Sequence, residues 1–129
     1  MKKIKLSRKF QNRNRLGRGL VSSLLLYEKV LTTETKARML KQETERVVGR
    51  LNTAKDDLLL MRYLKANLYG GAVKKAFDNK GQFASVSTVK LFQRHGDGTR
   101  MCQVVLNRVE KKSKDSQKES KPAESKKVK

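Results

Sequence analysis

Apolar residues recur every three or four positions along the first part of the chain. The recurring positions are Leu16, Leu20, Leu24 and Tyr27. This spacing places all of them on one face of an α-helix. Arg15, Arg18 and Ser22 fall roughly opposite, so the sequence predicts a first helix that is apolar on one side and basic on the other.

The pattern stops at the β-prone run "KVLTT" and then restarts with the same helical spacing. The positions after the restart are Ala37, Leu40, Thr44, Val47 and Leu51. We therefore expect a short strand followed by a second, longer helix that begins near Thr33. Thr33 can act as its N-cap, and Glu34 favours the positive end of the helix dipole.

Two further helices are expected in the middle of the chain. In "KDDLLLMRYLKANLYGG", Asp56 or Asp57 can cap a third helix, and the two glycines at 70 and 71 can end it. The apolar stripe of this helix consists of Leu60, Leu64 and Leu68. A short fourth helix, ended by "DNKG", would contain Ala72, Val73, Ala76 and Phe77.

The last part of the folded region has the composition of a β-hairpin. "FASVSTVKLFQR" and "RMCQVVLNRV" are rich in β-branched and aromatic residues, and "HGDG" separates them. An isolated hairpin is marginally stable in water, so we expect "KVLTT" to join it as a third strand. The predicted fold is α+β, with about four helices packed on a small three-stranded sheet.

Charge changes the picture more than any other feature of the composition. The chain of 129 residues carries a formal net charge of +20, from 32 Lys and Arg against 12 Asp and Glu. Such self-repulsion calls for a polyanion, either nucleic acid or an acidic membrane surface. No apolar run approaches the roughly 18 residues that a spanning helix needs, and one cysteine excludes an internal disulfide. We expect a cytoplasmic protein without a membrane partner.

The distribution of charge divides the chain into three parts. Eight Lys and Arg residues lie within residues 1–19, and no acid precedes Glu28. Residues 110–129 mix lysine, serine and acids with almost no apolar residue, which predicts a disordered tail. The expected organisation is a basic arm at 1–11, one domain at 12–109 and the tail at 110–129.

The adjacent threonines before the second helix admit two interpretations. Capping accounts for Thr33 but leaves the hydroxyl of Thr32 without a role. Alternatively, the two hydroxyls, the free amides of the helix N-terminus and Lys36 offer hydrogen-bond donors to a phosphate. Both interpretations remain open at this point.

The sequence resembles the family of the seventeenth protein of the bacterial large ribosomal subunit. That family has an L-x-R…R-x-x-L-x-R-x-L series and then S-L-x-x-x-E-[KR]-[IV]-x-T-T-x-x-K-A-x-x-L. The matching residues are Leu6, Arg8, Arg13, Leu16, Arg18, Leu20, Ser23, Leu24, Glu28, Lys29, Val30, Thr32, Thr33, Lys36, Ala37 and Leu40. Downstream matches are Ala72, Val73, Lys75, Gly81, Arg94, Gly96, Asp97 and Met101. Together they cover roughly residues 5–109.

Two departures from the family pattern bear on function. The chain opens "MKKIKLSR" where the family usually opens M-R-H with a longer lead, and Ser85 stands where the family usually has arginine. The resemblance implies an α+β structural protein that binds large-subunit ribosomal RNA near the rim of the polypeptide exit tunnel. It also implies neighbouring ribosomal proteins as partners and a place in the cytoplasmic large ribosomal subunit.

The residues expected to contact RNA come from the basic arm, the first helix, the threonine segment and the hairpin. They are Lys2, Lys3, Lys5, Arg8, Lys9, Arg13, Arg15, Arg18, Ser22, Thr32, Thr33, Lys36 and Arg94. RNA shape should matter more than base sequence in such binding. An alternative is a small DNA-binding or nucleoid-associated protein that uses the first two helices as a helix-turn-helix. The β-prone linker "KVLTT" lacks the glycine-containing turn of that motif.

Residues that could carry chemistry have simpler explanations. His95 lies in the expected hairpin loop without a partner nucleophile, and Cys102 occupies a β position typical of a small core residue. "HGDG" lacks the Lys-Ser/Thr and the helix that a phosphate-binding loop requires. Asp56 and Asp57 supply too few oxygens for a hard cation. We therefore expect no enzyme activity, no catalytic residue, no metal, no cofactor and no small-molecule substrate.

Overall fold

A computed structural model of the chain describes residues 4–109. Lys2, Lys3 and the predicted tail at 110–129 lie outside the described residues. Within residues 4–109 the elements are α1 (Phe10–Tyr27), β1 (Lys29–Thr33), α2 (Glu34–Thr53), α3 (Asp57–Asn67), α4 (Gly70–Asp78), β2 (Phe83–Gln93) and β3 (Arg100–Arg108). The predicted α+β class, with four helices and a three-stranded sheet, is confirmed.

The sheet is antiparallel, and β3 is its central strand, in the order β1-β3-β2. The run "KVLTT" does form the third strand, and Thr32 pairs with Cys102 while Val86 pairs with Leu106 on the other side. Alternate β3 residues, Cys102, Val104 and Leu106, are buried, whereas the residues between them are partly exposed. This alternation shows that one face of the sheet packs on the helices and the other faces outward.

The predicted apolar stripes of α2 and α3 form much of the core. Leu40, Leu51 and Leu64 are fully buried, and the strand residue Phe83 packs in the same cluster. For α1 the prediction was partly wrong, because Leu16 and Leu20 are only half-buried and Tyr27 is 74% exposed. The buried residues of α1 are instead Gly17, Val21, Ser22, Leu24 and Leu25. The helix is rotated towards these positions because it packs against both α2 and α4.

The glycines at 70 and 71 begin a helix rather than ending one. Helix α3 ends at Asn67, where Leu68 adopts an extended conformation, and α4 begins at Gly70. The amide of Tyr69 donates a hydrogen bond of 2.9 Å to the Ser22 hydroxyl of α1, which fixes the chain between the two helices. The helix-ending tendency of glycine, on which the sequence prediction relied, carries no information about this contact between distant residues.

Helix α1 ends at a residue in the left-handed conformation. Glu28 has φ 64°, and its amide donates to the carbonyl of Leu24 over 2.8 Å. The strand β1 follows directly, so α1 and α2 are joined by a paired strand and not by the short turn of a helix-turn-helix. Among the described helices, none is both long enough and apolar enough to cross a bilayer.

Candidate nucleic-acid interface

The most basic surface of the described chain comprises residues 4–16, which we call the basic segment. It includes the first seven residues of α1, Phe10–Leu16, and none of its side chains is buried. Its cations are Lys5, Arg8, Lys9, Arg13 and Arg15. All are exposed except Arg13, which is half-buried with its guanidinium 5.6 Å from the centre of the Phe10 ring. This end of α1 therefore extends past the core.

The cations of the basic segment differ from many of the others in having no ion pair. Arg38 binds Glu34 at 2.7 Å, for example, and Lys80 binds Asp57 at 2.8 Å. The Lys and Arg residues paired with an acid are Arg38, Lys41, Arg46, Lys75, Lys80, Lys90, Arg94 and Arg108. No acid within residues 4–109 pairs with a cation of the basic segment.

The N-terminus of α1 also lacks the usual compensation for its unpaired amides. Lys9 occupies the N-cap position, makes no side-chain cap hydrogen bond, and is followed by a first turn without an acid. Because a helix N-terminus carries a partial positive charge, Arg8 and Lys9 are electrostatically unfavourable there. An anion bound at this end would offset both effects.

Arg18 has a different environment from the arginines before it. Its Nη2 donates to the carbonyls of Leu68 at 3.0 Å and Lys65 at 3.3 Å, and its guanidinium lies 4.7 Å from the centre of the Tyr69 ring. Its Nε is buried without a hydrogen-bond partner. The guanidinium thus connects α1 to the last turn of α3, and we remove Arg18 from the predicted set of RNA contacts.

Ser22 and Thr32 are also corrected, since neither side chain is on the surface. Ser22 is 5% exposed, and its hydroxyl accepts the Tyr69 amide described above. Thr32 is 8% exposed, because it lies opposite Cys102 on the sheet face that packs on the helices. The phosphate-binding hydroxyl pair considered for Thr32 and Thr33 is therefore not present.

Thr33 and Lys36 remain at the start of α2, where the charge is mixed. Thr33 occupies the predicted N-cap position with an extended backbone, but its side chain makes no cap hydrogen bond. Lys36 is half-buried and pairs with no acid in the described part of the chain. The hydrogen bond from Arg38 holds the pKa of Glu34 below its usual value, so this helix end carries a carboxylate that disfavours phosphate.

Arg94 lies in the β2–β3 turn and is held by the acid of the same turn. Its Nε donates to the Asp97 carboxylate at 3.0 Å, and the hydroxyl of Thr99 donates to that carboxylate at 2.8 Å. Arg94, followed by Thr99, holds the pKa of Asp97 well below its usual range, and Asp97 raises the pKa of Arg94. The charge of Arg94 is therefore largely compensated within the turn.

A groove of about 610 Å³ opens between α1, α2 and α3 beside the basic segment. Arginines from two helices line it, namely Arg13, Arg15, Arg18 and Arg46. Apolar residues that line it are Gly17, Val21, Met39 and Val47. Tyr63 and Asn67 of α3 complete one side. Sequence reasoning missed Arg46, Tyr63 and Asn67, because only the packing of the helices brings them to the basic segment.

Residues with catalytic potential do not assemble into a site in the described part of the chain. His95 is exposed in the β2–β3 turn, and Cys102 is 1% exposed in the core. Within residues 4–109, no three His, Cys, Asp or Glu side chains form a group that could hold a metal ion.

The chain is similar to several curated proteins over most of its length, although no protein-family model matches it. The large ribosomal subunit protein bL17 of Phytoplasma mali is 31% identical over 104 residues, which cover 81% of this chain and 86% of the relative. The bL17 of Finegoldia magna is 29% identical over 123 residues, 90% of this chain and 92% of the relative. The bL17 of Pelagibacter ubique is 27% identical over 127 residues, which cover 89% of this chain and 88% of the relative. The chain therefore belongs to the bL17 family, as its motifs predicted.

Proposed function

We propose that this protein binds large-subunit ribosomal RNA through its basic segment and thereby supports the architecture of the subunit. As a bL17 protein it is a structural component of the large ribosomal subunit in the cytoplasm and not an enzyme. One observation carries the proposal of RNA binding. Five cations between Lys5 and Arg15 pair with no acid within residues 4–109, and no acid precedes Glu28 in the sequence.

Phosphate binding by these cations follows from simple electrostatics. Each Lys or Arg that neutralises a phosphate releases condensed counterions, which provides a favourable and salt-dependent free energy. The uncapped amides at the start of α1 add further donors for the same phosphates. RNA would thus stabilise the part of α1 that the protein core does not cover.

The rest of the domain would act as a rigid platform for this helix. Arg18 and Ser22 connect α1 to the chain at the end of α3, and the buried leucines of α1 pack in the core. We retain the functional division into an arm at 1–11, a domain at 12–109 and a tail at 110–129. The structure begins α1 at Phe10, so the proposed arm includes the first two residues of that helix.

We also propose where in the subunit the protein lies and which of its surfaces meets other ribosomal proteins. The sequence resemblance supports a position near the rim of the polypeptide exit tunnel. Neighbouring ribosomal proteins would meet the outer face of the sheet, where Leu31 is 52% exposed and Val89 is 49% exposed. These two residues both pair with Gln103 and so lie in one row across the sheet.

The test compares two variants with the same loss of positive charge. The arm variant replaces Arg8, Lys9, Arg13 and Arg15 with Gln, and the paired-charge variant replaces Arg38, Lys41, Lys80 and Lys90 with Gln. Each is expressed in bacterial cells, and its co-sedimentation with the large subunit is measured on gradients at moderate salt. We expect the arm variant to be lost from the subunit and the paired-charge variant to be retained. Equal retention of both variants would contradict the assignment to the basic segment.

A further inference from the structure

We propose that the groove between α1, α2 and α3 receives a single unpaired nucleotide of the RNA. This inference rests on the proposed function, because Arg13 and Arg15 belong both to the basic segment and to the groove. A strand whose phosphates follow the basic segment would pass directly over the opening. One of its bases could then enter without a break in the phosphate contacts.

The volume of the groove and the residues that form its floor suit a nucleobase. Its volume of about 610 Å³ lies within the range of small-ligand pockets, roughly 300–1,000 Å³. Val21, Met39 and Val47 are buried apolar residues that line it. Gly17 contributes no side chain, which leaves space between α1 and α2. Because the three apolar side chains are only 3–5% exposed, they close the floor of the groove and leave the contact with a nucleobase to the aromatic rings.

Aromatic side chains provide places where a base can stack. Tyr63 is half-buried in the groove wall, and the guanidinium of Arg50 lies 5.6 Å from the centre of its ring. Phe10 also lines the groove, is 62% exposed and carries Arg13 over its ring. Proteins that recognise single-stranded RNA commonly hold unstacked bases against aromatic rings and arginine planes.

Polar groups around these surfaces match the rest of a nucleotide. The two arginines of the basic segment that line the groove pair with no acid within residues 4–109. Glu43, the acid in its lining, is paired with Arg46 at 3.1 Å. Asn67 donates from Nδ2 to the Tyr63 carbonyl at 2.8 Å, so its Oδ1 can accept a hydrogen bond from a base edge. Asn14 is exposed at the rim and offers both a donor and an acceptor.

Other occupants use only part of this arrangement. A phosphate alone would make no use of the aromatic rings, and a continuous duplex presents its bases stacked and inaccessible to a pocket of this size. An acidic peptide would compete with RNA for Arg13 and Arg15. The unpaired nucleotide uses Arg13, Arg15, the aromatic rings and the amides together.

Gly17 offers a way to fill the groove without changing charge. A Cβ atom at Gly17 would meet the nearest atom, Cε of Met39, at 3.8 Å, an ordinary van der Waals contact. Gly17→Ala therefore fits and leaves most of the space, whereas the larger side chain of Gly17→Leu extends into the groove. Ala66→Leu is a second filling variant, because Ala66 lines the groove from α3 and is exposed.

The experiment measures the affinity of the full chain and these variants for two RNAs. One is a short RNA duplex, and the other is the same duplex with a single bulged adenosine. Thermal melts establish that each variant is folded. We expect the unmodified protein and Gly17→Ala to bind the bulged RNA roughly tenfold more tightly than the duplex, as base stacking would provide. The two filling variants should bind both RNAs with the affinity that the unmodified protein has for the duplex.

The possible failures separate the two proposals. Equal affinity of the unmodified protein for both RNAs overturns the nucleotide site, as does a preference that persists in every folded filling variant. Equal affinity is also the result expected if the groove takes a protein segment instead. In both cases the binding of the duplex would still support the basic segment as an RNA contact. No binding of either RNA overturns both proposals.

Discussion

The two halves of helix α1 have the same secondary structure but opposite environments. Residues 10–16 contain no buried side chain and no acid, and they form no ion pair with any other residue of the described range 4–109. Residues 17–27 contain all five buried residues of the helix, and the left-handed cap at Glu28 follows them. Glu28 also pairs with Lys75 of α4 and Arg108 of β3, which holds this end of α1 to two other elements.

The difference indicates what stabilises each half. A short helical segment gains little from propensity alone, and most helices in proteins depend on packing of one face. The second half of α1 has that packing, whereas the first half has uncompensated positive charge at the positive end of the helix dipole. The protein core thus specifies the second half, and the proposed RNA ligand completes the first.

The largest effect on this comparison should come from the buried half. Leu24→Ala removes a side chain with no exposed surface and leaves a cavity in the core. We expect a loss of about 3 kcal/mol in the free energy of unfolding, measured by urea denaturation. The control is Leu16→Ala, because Leu16 lies in the first half of α1 and is only half-buried. This change should lower the free energy of unfolding by less than about 1 kcal/mol. Equal losses would show that both halves pack on the core.

Arg18 and Arg15 should separate stability from binding. Arg18→Ala removes two hydrogen bonds to the end of α3 and the stacking on Tyr69, so we expect a loss of about 1–2 kcal/mol of stability. The RNA affinity of this variant should depend on salt concentration in the same way as that of the unmodified protein. Arg15→Ala should leave the melting temperature unchanged and reduce the salt slope by about 0.7–0.9. A reversal of these two results would return Arg18 to the RNA interface.

The ion pairs of Glu28 should make the secured end of α1 sensitive to acid. Arg108, followed by Lys75, lowers the pKa of Glu28 below its ordinary value of 4.5. The folded state therefore favours the ionised carboxylate, and this stabilisation is complete above pH 4.5 and is lost as the pH falls through the lowered value. Because the carboxylate is partly exposed to water, Glu28→Gln should cost only about 0.5 kcal/mol at neutral pH. Urea denaturation at a series of pH values should show that the difference in stability between the unmodified protein and Glu28→Gln disappears in acid. A stability difference that persists in acid would not come from the ion pairs of Glu28.

Thr33→Ala should have the smallest effect. The N-cap hydrogen bond expected from the sequence is absent, so the change removes no side-chain partner of the α2 amides. We expect a loss below about 0.5 kcal/mol in thermal denaturation, against the roughly 1 kcal/mol typical of a bonded cap. A full cap effect would mean that Thr33 bonds an α2 amide in solution.

Local patterns predicted most of the fold because the elements follow them closely. The apolar stripe of α3 was recognised from the spacing of Leu60, Leu64 and Leu68, of which the first two lie on the buried helix face and Leu68 is buried just past the helix end. The third strand followed from the marginal stability of an isolated hairpin, and the register shows β1 on the free edge of β3. Both inferences needed only neighbouring residues and general rules of packing.

The candidate site was less predictable, since its important distinctions depend on distant contacts. Arg18 and Arg15 look alike in sequence, and only the approach of the Leu68 carbonyl, 50 residues away, separates them. Ser22 was expected on the surface because it falls roughly opposite the leucine stripe, but it is buried and its hydroxyl accepts a hydrogen bond from the Tyr69 amide. Arg46 and Tyr63 could not be predicted as groove residues either, because only the packing of α2 and α3 brings them close to α1.

The most direct test of the proposed division of α1 is the salt dependence of RNA affinity. The logarithm of the affinity for large-subunit ribosomal RNA is measured against the logarithm of salt concentration for the unmodified protein, the arm variant and the paired-charge variant. If all four cations of the arm variant contact phosphates, its slope should fall in magnitude by about 3, and that of the paired-charge variant should change little. Equal changes of slope in both variants, or an unchanged slope in the arm variant, would contradict the proposal that the exposed half of α1 is the RNA-binding surface.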